Sequence, residues 1–140
     1  MKFYNCLNCG TSVPGSHQKA NKYCSIVCQH EYQYKSYIVE WKTGNESGNK
    51  GHGQISNHVR KYLYEKYNNT CCKCGVGHIW NRQPLKMEVE HKDGNPQNSV
   101  EDNLEIVCPN CHSQTPTYKN KNKGNGRYHR KERYSVGKSY

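Results

Sequence analysis

The sequence predicts a small α+β protein that depends on bound zinc for its stability. Only 32% of its 140 residues are hydrophobic and the mean hydropathy is -1.18, so little apolar surface is available for a core. Most of the nine cysteines fall in pairs with the spacing of zinc ligands. Helical and strand-like patterns lie between and after these pairs. We therefore expect bound metal, together with the packing area of twelve tyrosines, to replace part of a conventional core.

The cysteines could instead form disulfides, so the cellular compartment matters. The opening residues, "MKFYNCLNCG", lack the apolar run of a signal peptide. No stretch approaches the roughly 20 apolar residues of a membrane span. We therefore expect a cytoplasmic, non-secreted protein in which paired cysteines bind zinc.

The first cysteine cluster predicts an N-terminal zinc finger with a helix over residues 1–42. Two cysteine pairs flank a polar loop, and the second pair runs into the helical sequence "YCSIVCQHEYQYKSYIVEWK". Ser25 occupies the N-cap position of this helix, which we expect to continue to about Trp41. His30 lies close enough in sequence to replace one ligand. The expected zinc ligands are Cys6, Cys9, Cys24 and Cys28.

The glycine-rich segment 43–53, "TGNESGNKGHG", has almost nothing to bury and is predicted to be a linker. The next residues, "QISNHVRKYLYEKYNN", place apolar side chains at helical spacing. Ser56 stands at the N-cap position, and we expect the helix to end near Asn68 and Asn69. A second domain over residues 54–118 would begin here.

The second cysteine cluster brackets residues 75–107, which one zinc ion would hold at their base. "LKMEVEH" alternates as a strand, "KDGNPQNSVEDN" predicts a turn-rich loop, and "LEIVC" predicts a second strand. Pro109 then favours the start of a short helix that Pro116 ends. Cys72 could replace its neighbour as a ligand, but it lacks the standard spacing and is expected to pack beside the site. The expected ligands are Cys71, Cys74, Cys108 and Cys111.

Charge is distributed unevenly in a chain whose formal net charge is +10. Two tetrathiolate zinc sites would lower this value to about +6, which is still basic. Residues 85–105 contain six acids, whereas residues 119–140 contain eight basic groups and only Glu132. We expect a polyanionic partner and an acidic, metal-attracting centre, although the tail could merely increase solubility. The expected nucleic-acid contacts are Lys119, Lys121, Lys123, Arg127, Arg130, Lys131 and Arg133.

A family resemblance rests on "EVEHKDGNPQNSVEDNLEIVCPNCHSQT" together with the upstream Cys-x-x-Cys pair. This combination resembles the HNH endonucleases of the ββα-metal nuclease superfamily, in the branch with two cysteine pairs that occurs in phage and bacterial proteins. The three signature residues fall on His91, Asn103 and His112. The flanking segments are also similar, so the resemblance covers about residues 38–134. It implies a ββα-metal domain within residues 54–118, preceded by a finger of a kind common in such proteins.

The resemblance implies a metal-dependent DNA endonuclease that hydrolyses phosphodiester bonds. His91 would be the general base, and Glu90 and His112 would bind one divalent cation, Mg²⁺ or Mn²⁺. Asn103 would brace the loop between the strands. Glu90 stands where aspartate or histidine is common in the family, and Pro116 stands where some relatives have a further histidine.

The expected partner is double-stranded DNA, with a monomer as the favoured state. Glu88, one strand step from Glu90, is expected to be solvated. Two other functions remain open: a non-catalytic, zinc-stabilised DNA-binding protein, and an RNA-binding zinc protein. Among nuclease roles, homing, restriction and phage packaging all fit the sequence, and a phage-encoded protein would act in the host cytoplasm.

Overall fold

The computed structural model describes residues 1–16, 21–51, 53–118 and 135–137. The α+β class is confirmed by the short strands and the helices of the described residues. No helix in these ranges is both long and apolar enough to cross a membrane. The basic residues predicted to contact nucleic acid, Lys119, Lys121, Lys123, Arg127, Arg130, Lys131 and Arg133, lie outside the described ranges.

The chain divides into two compact units, Met1–Glu40 and Trp41–Tyr140. The segment 43–53, which we expected to be a linker, therefore falls within the second unit. Asn49 pairs with Ile55 in an isolated antiparallel bridge there. The segment buries little apolar surface, and its place in the unit rests on polar contacts and close backbone approach, which hydrophobic patterns do not reveal.

The first unit contains strands β1 (Phe3–Asn5) and β2 (Ser12–Pro14), which pair antiparallel, and most of helix α1 (Ile26–Lys42). The Ser25 hydroxyl accepts a hydrogen bond from the Cys28 backbone N–H at 3.1 Å, which confirms the predicted cap. Strand β2 lies within what the sequence predicted to be a polar loop. Its three residues are too few for an alternating pattern to be recognised.

The second unit is built on helix α2 (Asn57–Lys66), which packs against the sheet described below. The Ser56 hydroxyl caps α2 by accepting from the His58 N–H, as predicted. Tyrosines of this helix add polar contacts: the Tyr64 hydroxyl donates to the Met87 carbonyl at 2.8 Å. Among the described residues of this unit, the fully buried apolar side chains are Val59, Leu63, Met87, Leu104, Ile106 and Val107.

Two hairpin-like sheets follow α2. Strands β3 (Ile79–Trp80) and β4 (Gln83–Pro84) form a small exposed hairpin, which was not predicted from the sequence. Strands β5 (Glu88–His91) and β6 (Leu104–Val107) pair antiparallel, and a 3₁₀ turn at Glu101–Asn103 precedes β6.

Helix α3 (Pro109–Ser113) follows β6 after one residue and contacts β5. The order strand, loop, strand, helix is therefore confirmed. Because side chains alternate along a strand, Glu88 and Glu90 lie on the same face of β5, while His91 ends the strand opposite Leu104.

Candidate metal centres and catalytic site

The two cysteine clusters begin with the same turn. In each, a glycine follows the Cys-x-x-Cys pair: Gly10 donates its N–H to the Cys6 carbonyl, and Gly75 donates to the Cys71 carbonyl. The first cysteine of each pair also donates its own N–H to a carbonyl five residues later, at 2.9 Å in both cases. This shared turn brings the two thiols of each pair together.

The structure brings both predicted sets of four thiols together, each set within 4.8 Å: Cys6, Cys9, Cys24 and Cys28, and Cys71, Cys74, Cys108 and Cys111. Neighbouring sulfur atoms lie 3.5, 3.6 and 3.8 Å apart where hydrogen-bond criteria record them. A Zn–S bond of ~2.3 Å puts the corners of a tetrahedron ~3.8 Å apart, so both sets fit a zinc ion. His30 and Cys72 belong to neither set.

The pKa values of these thiols indicate that the four sulfur atoms of a set cannot all lose their protons without a bound cation. The backbone N–H of Cys9 lowers the pKa of the Cys6 thiol to about 6, so this group favours the thiolate form. The neighbouring thiols of Cys28, Cys9 and Cys6 in turn raise the pKa of Cys24 to about 12. In the second cluster the pKa of Cys111 is raised to about 12, first by Cys74. Four thiolates can coexist only when a bound cation offsets their repulsion.

Apart from the two cysteine clusters, a cluster of two carboxylates and an imidazole joins strand β5 to helix α3. The Nε2 atom of His112 lies 2.9 Å from Oε2 of Glu90, and its Nδ1 atom lies 2.7 Å from Oε2 of Glu88. The other oxygen of Glu90 accepts a hydrogen bond from the Thr117 hydroxyl at 2.7 Å. Glu90 is buried, with 5% of its surface exposed, whereas the Glu88 side chain is 46% exposed.

The separation between Glu90 and His112 is compatible with one divalent cation. Metal–ligand bonds of ~2.1 Å in an octahedral site place adjacent ligand atoms ~3 Å apart. A carboxylate oxygen is a donor that Mg²⁺ and Mn²⁺ prefer, whereas an imidazole nitrogen is a typical donor for transition metals. The two side chains predicted as ligands therefore lie side by side, at a separation that one divalent cation could bridge.

Glu88 was expected to be solvated, but it also contacts His112. A carboxylate on one ring nitrogen favours a fixed ring orientation and leaves the other nitrogen for a metal. The signal for this role was present in the sequence, because residues two apart on a strand share a face. Thr117 follows Pro116, and no spacing rule would have identified it.

His91 lies directly after Glu90, at the end of β5. Burial lowers the pKa of its imidazole, and the charges of Asp93 and Glu90 oppose the shift without reversing it. The ring is therefore mostly neutral at pH 7. Its Nε2 atom lies 3.0 Å from the hydroxyl of Ser99, a contact that no sequence pattern predicts.

Asn103 spans the base of the loop between β5 and β6. Its side-chain oxygen accepts from the Asp93 N–H at 3.1 Å, and its side-chain nitrogen donates to the Asn98 carbonyl at 2.7 Å. The same nitrogen donates to the Asp93 carboxylate at 2.9 Å. Burial raises the pKa of Asp93, but hydrogen bonds led by that from Asn98 outweigh it and lower the pKa. The loop that begins at His91 is thus closed by side-chain and backbone bonds.

The family resemblance is confirmed by comparison with known proteins. The chain is 38% identical over 113 residues to the H-N-H endonuclease F-TflIV of Escherichia phage T5. The match covers 80% of this chain but 42% of the phage protein, so the chain spans less than half the length of this relative. No protein-family model and no solved structure matches the chain.

Proposed function

We propose that this protein is a metal-dependent endonuclease that hydrolyses phosphodiester bonds in double-stranded DNA. The observation that carries the proposal is a carboxylate–imidazole pair: Oε2 of Glu90 lies 2.9 Å from Nε2 of His112, and His91 directly follows Glu90 in the chain. The name of the phage T5 relative, an H-N-H endonuclease, supports the same activity class. The source of this relative, Escherichia phage T5, is compatible with a phage-associated role, and we keep homing and the cytoplasm of a host cell as part of the proposal.

Hydrolysis of a phosphodiester needs a base for the attacking water and a counter-charge for the developing phosphorane. His91 is the proposed base, because its lowered pKa leaves the ring able to accept a proton at neutral pH. Glu90 and His112 bind the divalent cation, which when present supplies positive charge to the phosphate oxygens and the leaving 3′ oxygen. Asn103 closes the loop behind His91 and does not touch the substrate.

Zinc has a separate, structural role in this proposal. Each four-cysteine set binds one zinc ion. His112 follows Cys111 directly, and α3 starts immediately after Cys108, whose sulfur accepts the Cys111 N–H. The zinc ion of the second unit therefore fixes the helix that carries a catalytic-metal ligand.

Binding to duplex DNA would come from the finger in residues 1–42 and from the basic tail. The tail carries eight basic groups against one acid, which suits contact with phosphates. The net charge of the chain is +10 and the proposed substrate is a polyanion. The proposed phosphate contacts in the tail are Lys119, Lys121, Lys123, Arg127, Arg130, Lys131 and Arg133.

The test is His91→Ala, assayed by conversion of supercoiled plasmid to nicked or linear forms with saturating Mg²⁺. General-base catalysis is commonly worth about 10²- to 10⁴-fold, so cleavage should fall by that factor while DNA affinity and zinc content stay unchanged. His78→Ala is the matched control, since His78 is an exposed histidine of the same unit. Wild-type cleavage by His91→Ala would refute the catalytic assignment.

The same assay separates the alternative functions. Glu90→Ala and His112→Ala should weaken Mg²⁺ binding, and excess metal should restore part of their activity but none of that lost in His91→Ala. A wild-type protein that binds duplex DNA without cutting it would be the non-catalytic binder. Preference for single-stranded RNA over duplex DNA would indicate the RNA-binding alternative.

A further inference from the structure

A buried serine links His91 to a residue more than forty positions upstream. Ser99 is 1% exposed, and its hydroxyl oxygen lies 3.0 Å from His91 Nε2 and 2.7 Å from Oδ1 of Asn49. Asn49 belongs to the glycine-rich segment 43–53. Histidine, serine and asparagine thus form one continuous hydrogen-bonded chain.

The direction of these hydrogen bonds follows from the far end of the chain. The Asn49 side-chain nitrogen donates to the Pro96 carbonyl at 3.4 Å, so its oxygen is the atom that faces Ser99. The opposite amide orientation would place two acceptors, Oδ1 and the Pro96 carbonyl, against each other. An amide oxygen can only accept, so Ser99 donates its single hydroxyl proton to Asn49. Its oxygen must then accept from His91, whose Nε2 carries the proton.

The position of Ser99 is itself fixed by buried contacts. Its carbonyl accepts a hydrogen bond from the Trp41 indole at 2.7 Å, and Trp41 is 4% exposed. Gly48 lies against both: a Cβ there would be 2.7 Å from Trp41 Nε1 and 2.9 Å from the Ser99 carbonyl. The Gly48 carbonyl also accepts from the Ser56 N–H at 2.7 Å. Trp41 and the backbone at Gly48 therefore hold Ser99 in place.

We propose that Asn49 and Ser99 are positioning residues that select the Nε2–H tautomer of His91 and leave its Nδ1 atom as the proton acceptor. This inference rests on the proposed function, in which His91 is the general base. A neutral imidazole has one acceptor nitrogen, so the tautomer decides which ring atom can take a proton from water. Asn49 acts through Ser99 and does not touch the substrate.

The direct test is to measure the tautomer of His91. The full chain is labelled with ¹⁵N in its histidine rings, and its ¹⁵N NMR spectrum is recorded at a pH where His91 is neutral. The ring nitrogen shifts distinguish a protonated from an unprotonated nitrogen, and the His91→Ala spectrum identifies the His91 signals. Wild-type protein should show the proton on Nε2. A wild-type spectrum with the proton on Nδ1 would overturn the inference.

Asn49→Ala sharpens the test because it removes the acceptor of the Ser99 proton. Ser99 is then free to donate to His91 Nε2, and the Nδ1–H form should gain population. We expect kcat to fall at least about tenfold with KM unchanged, within the ~10²- to 10⁴-fold value of general-base catalysis. An unchanged tautomer ratio together with an unchanged kcat in a folded Asn49→Ala protein would contradict the inference.

Serine variants supply the rescue and the control. Ser99→Ala should lower kcat as Asn49→Ala does, and Ser99→Thr, which keeps the hydroxyl, should recover most of it. Ser113→Ala is the matched control, because it removes a hydroxyl bonded to the Asn110 carbonyl within α3 and should leave both kcat and tautomer unchanged.

A protein that cuts DNA with the proton on Nδ1 would refute only this inference. A protein with the proton on Nε2 that cuts no DNA would refute the proposed function.

Discussion

Glu88 is the residue whose contacts differ most from those expected for a solvated carboxylate. Its Oε2 atom is 2.7 Å from Nδ1 of His112, whose other nitrogen faces Glu90. Carboxylates that orient a metal-binding histidine commonly contribute 10- to 100-fold to metal affinity. Because Glu88 is nearly half exposed, we expect Glu88→Gln to weaken Mg²⁺ or Mn²⁺ binding by about tenfold, at the lower end of that range.

Titration calorimetry of zinc-loaded protein with Mn²⁺ measures this effect. Asp102→Asn is the control, since it removes one exposed negative charge from the same unit without a contact to His112. Equal affinities for Glu88→Gln and Asp102→Asn would mean that Glu88 contributes only through its charge. If Glu88→Gln binds Mn²⁺ as tightly as the wild type does, Glu88 is not part of the metal site.

At the scale of single residues, the candidate site residues that the sequence predicted belong to one local pattern. Glu90, His91, Asn103 and His112 all lie in one short motif whose strand and helix periods are visible. Asn49 was not predictable, because no sequence period connects it with His91 across the intervening helix and hairpin. Its contact depends on how separate parts of the second unit pack.

Among the connecting elements, the glycine-rich segment makes the clearest stability prediction. Gly48 has φ +84°, and a Cβ would meet the Trp41 side chain and the Ser99 carbonyl. Gly48→Ala should destabilise the second unit by about 2–4 kcal/mol, combining left-handed strain with overpacking. Gly44→Ala is a close control, because Gly44 has φ +87° but nothing within 4 Å of its Cβ position. Denaturant unfolding of the two variants at equal zinc loading gives the comparison, and equal losses would show that the close contact is unimportant.

The helices that the sequence predicted are those with an N-terminal signal, and the strands that it predicted are apolar or alternating runs of at least four residues. Helices α1 and α2 each carry a serine N-cap, and α3 begins with a proline at its first position. The hairpin β3–β4 was missed, because each of its strands has two exposed residues and offers no alternation. Its turn residues, Asn81 and Arg82, both have positive φ, yet the usual glycine signal of such a turn is absent.

At the scale of the whole molecule, zinc content is the most informative measurement. Elemental analysis of protein purified in reductant should find about two zinc ions per chain. Cys74→Ser should lower the value to about one, whereas Cys72→Ser should leave it at two, because Cys72 lies outside both sets of thiols. One ion or none in the wild type would contradict the proposed role of zinc, and a loss in Cys72→Ser would show that this cysteine is a ligand.

The surroundings of Trp41 also give the molecule an optical reporter. The chain has two tryptophans: Trp41 is 4% exposed with its indole bonded to Ser99, and Trp80 is 62% exposed on β3. Iodide reaches an exposed indole and quenches its fluorescence, but it does not reach a buried one. The emission that survives iodide therefore comes from the ring in contact with Ser99. The emission wavelength and intensity of Trp41 can be followed in each variant and during DNA addition, without any attached dye.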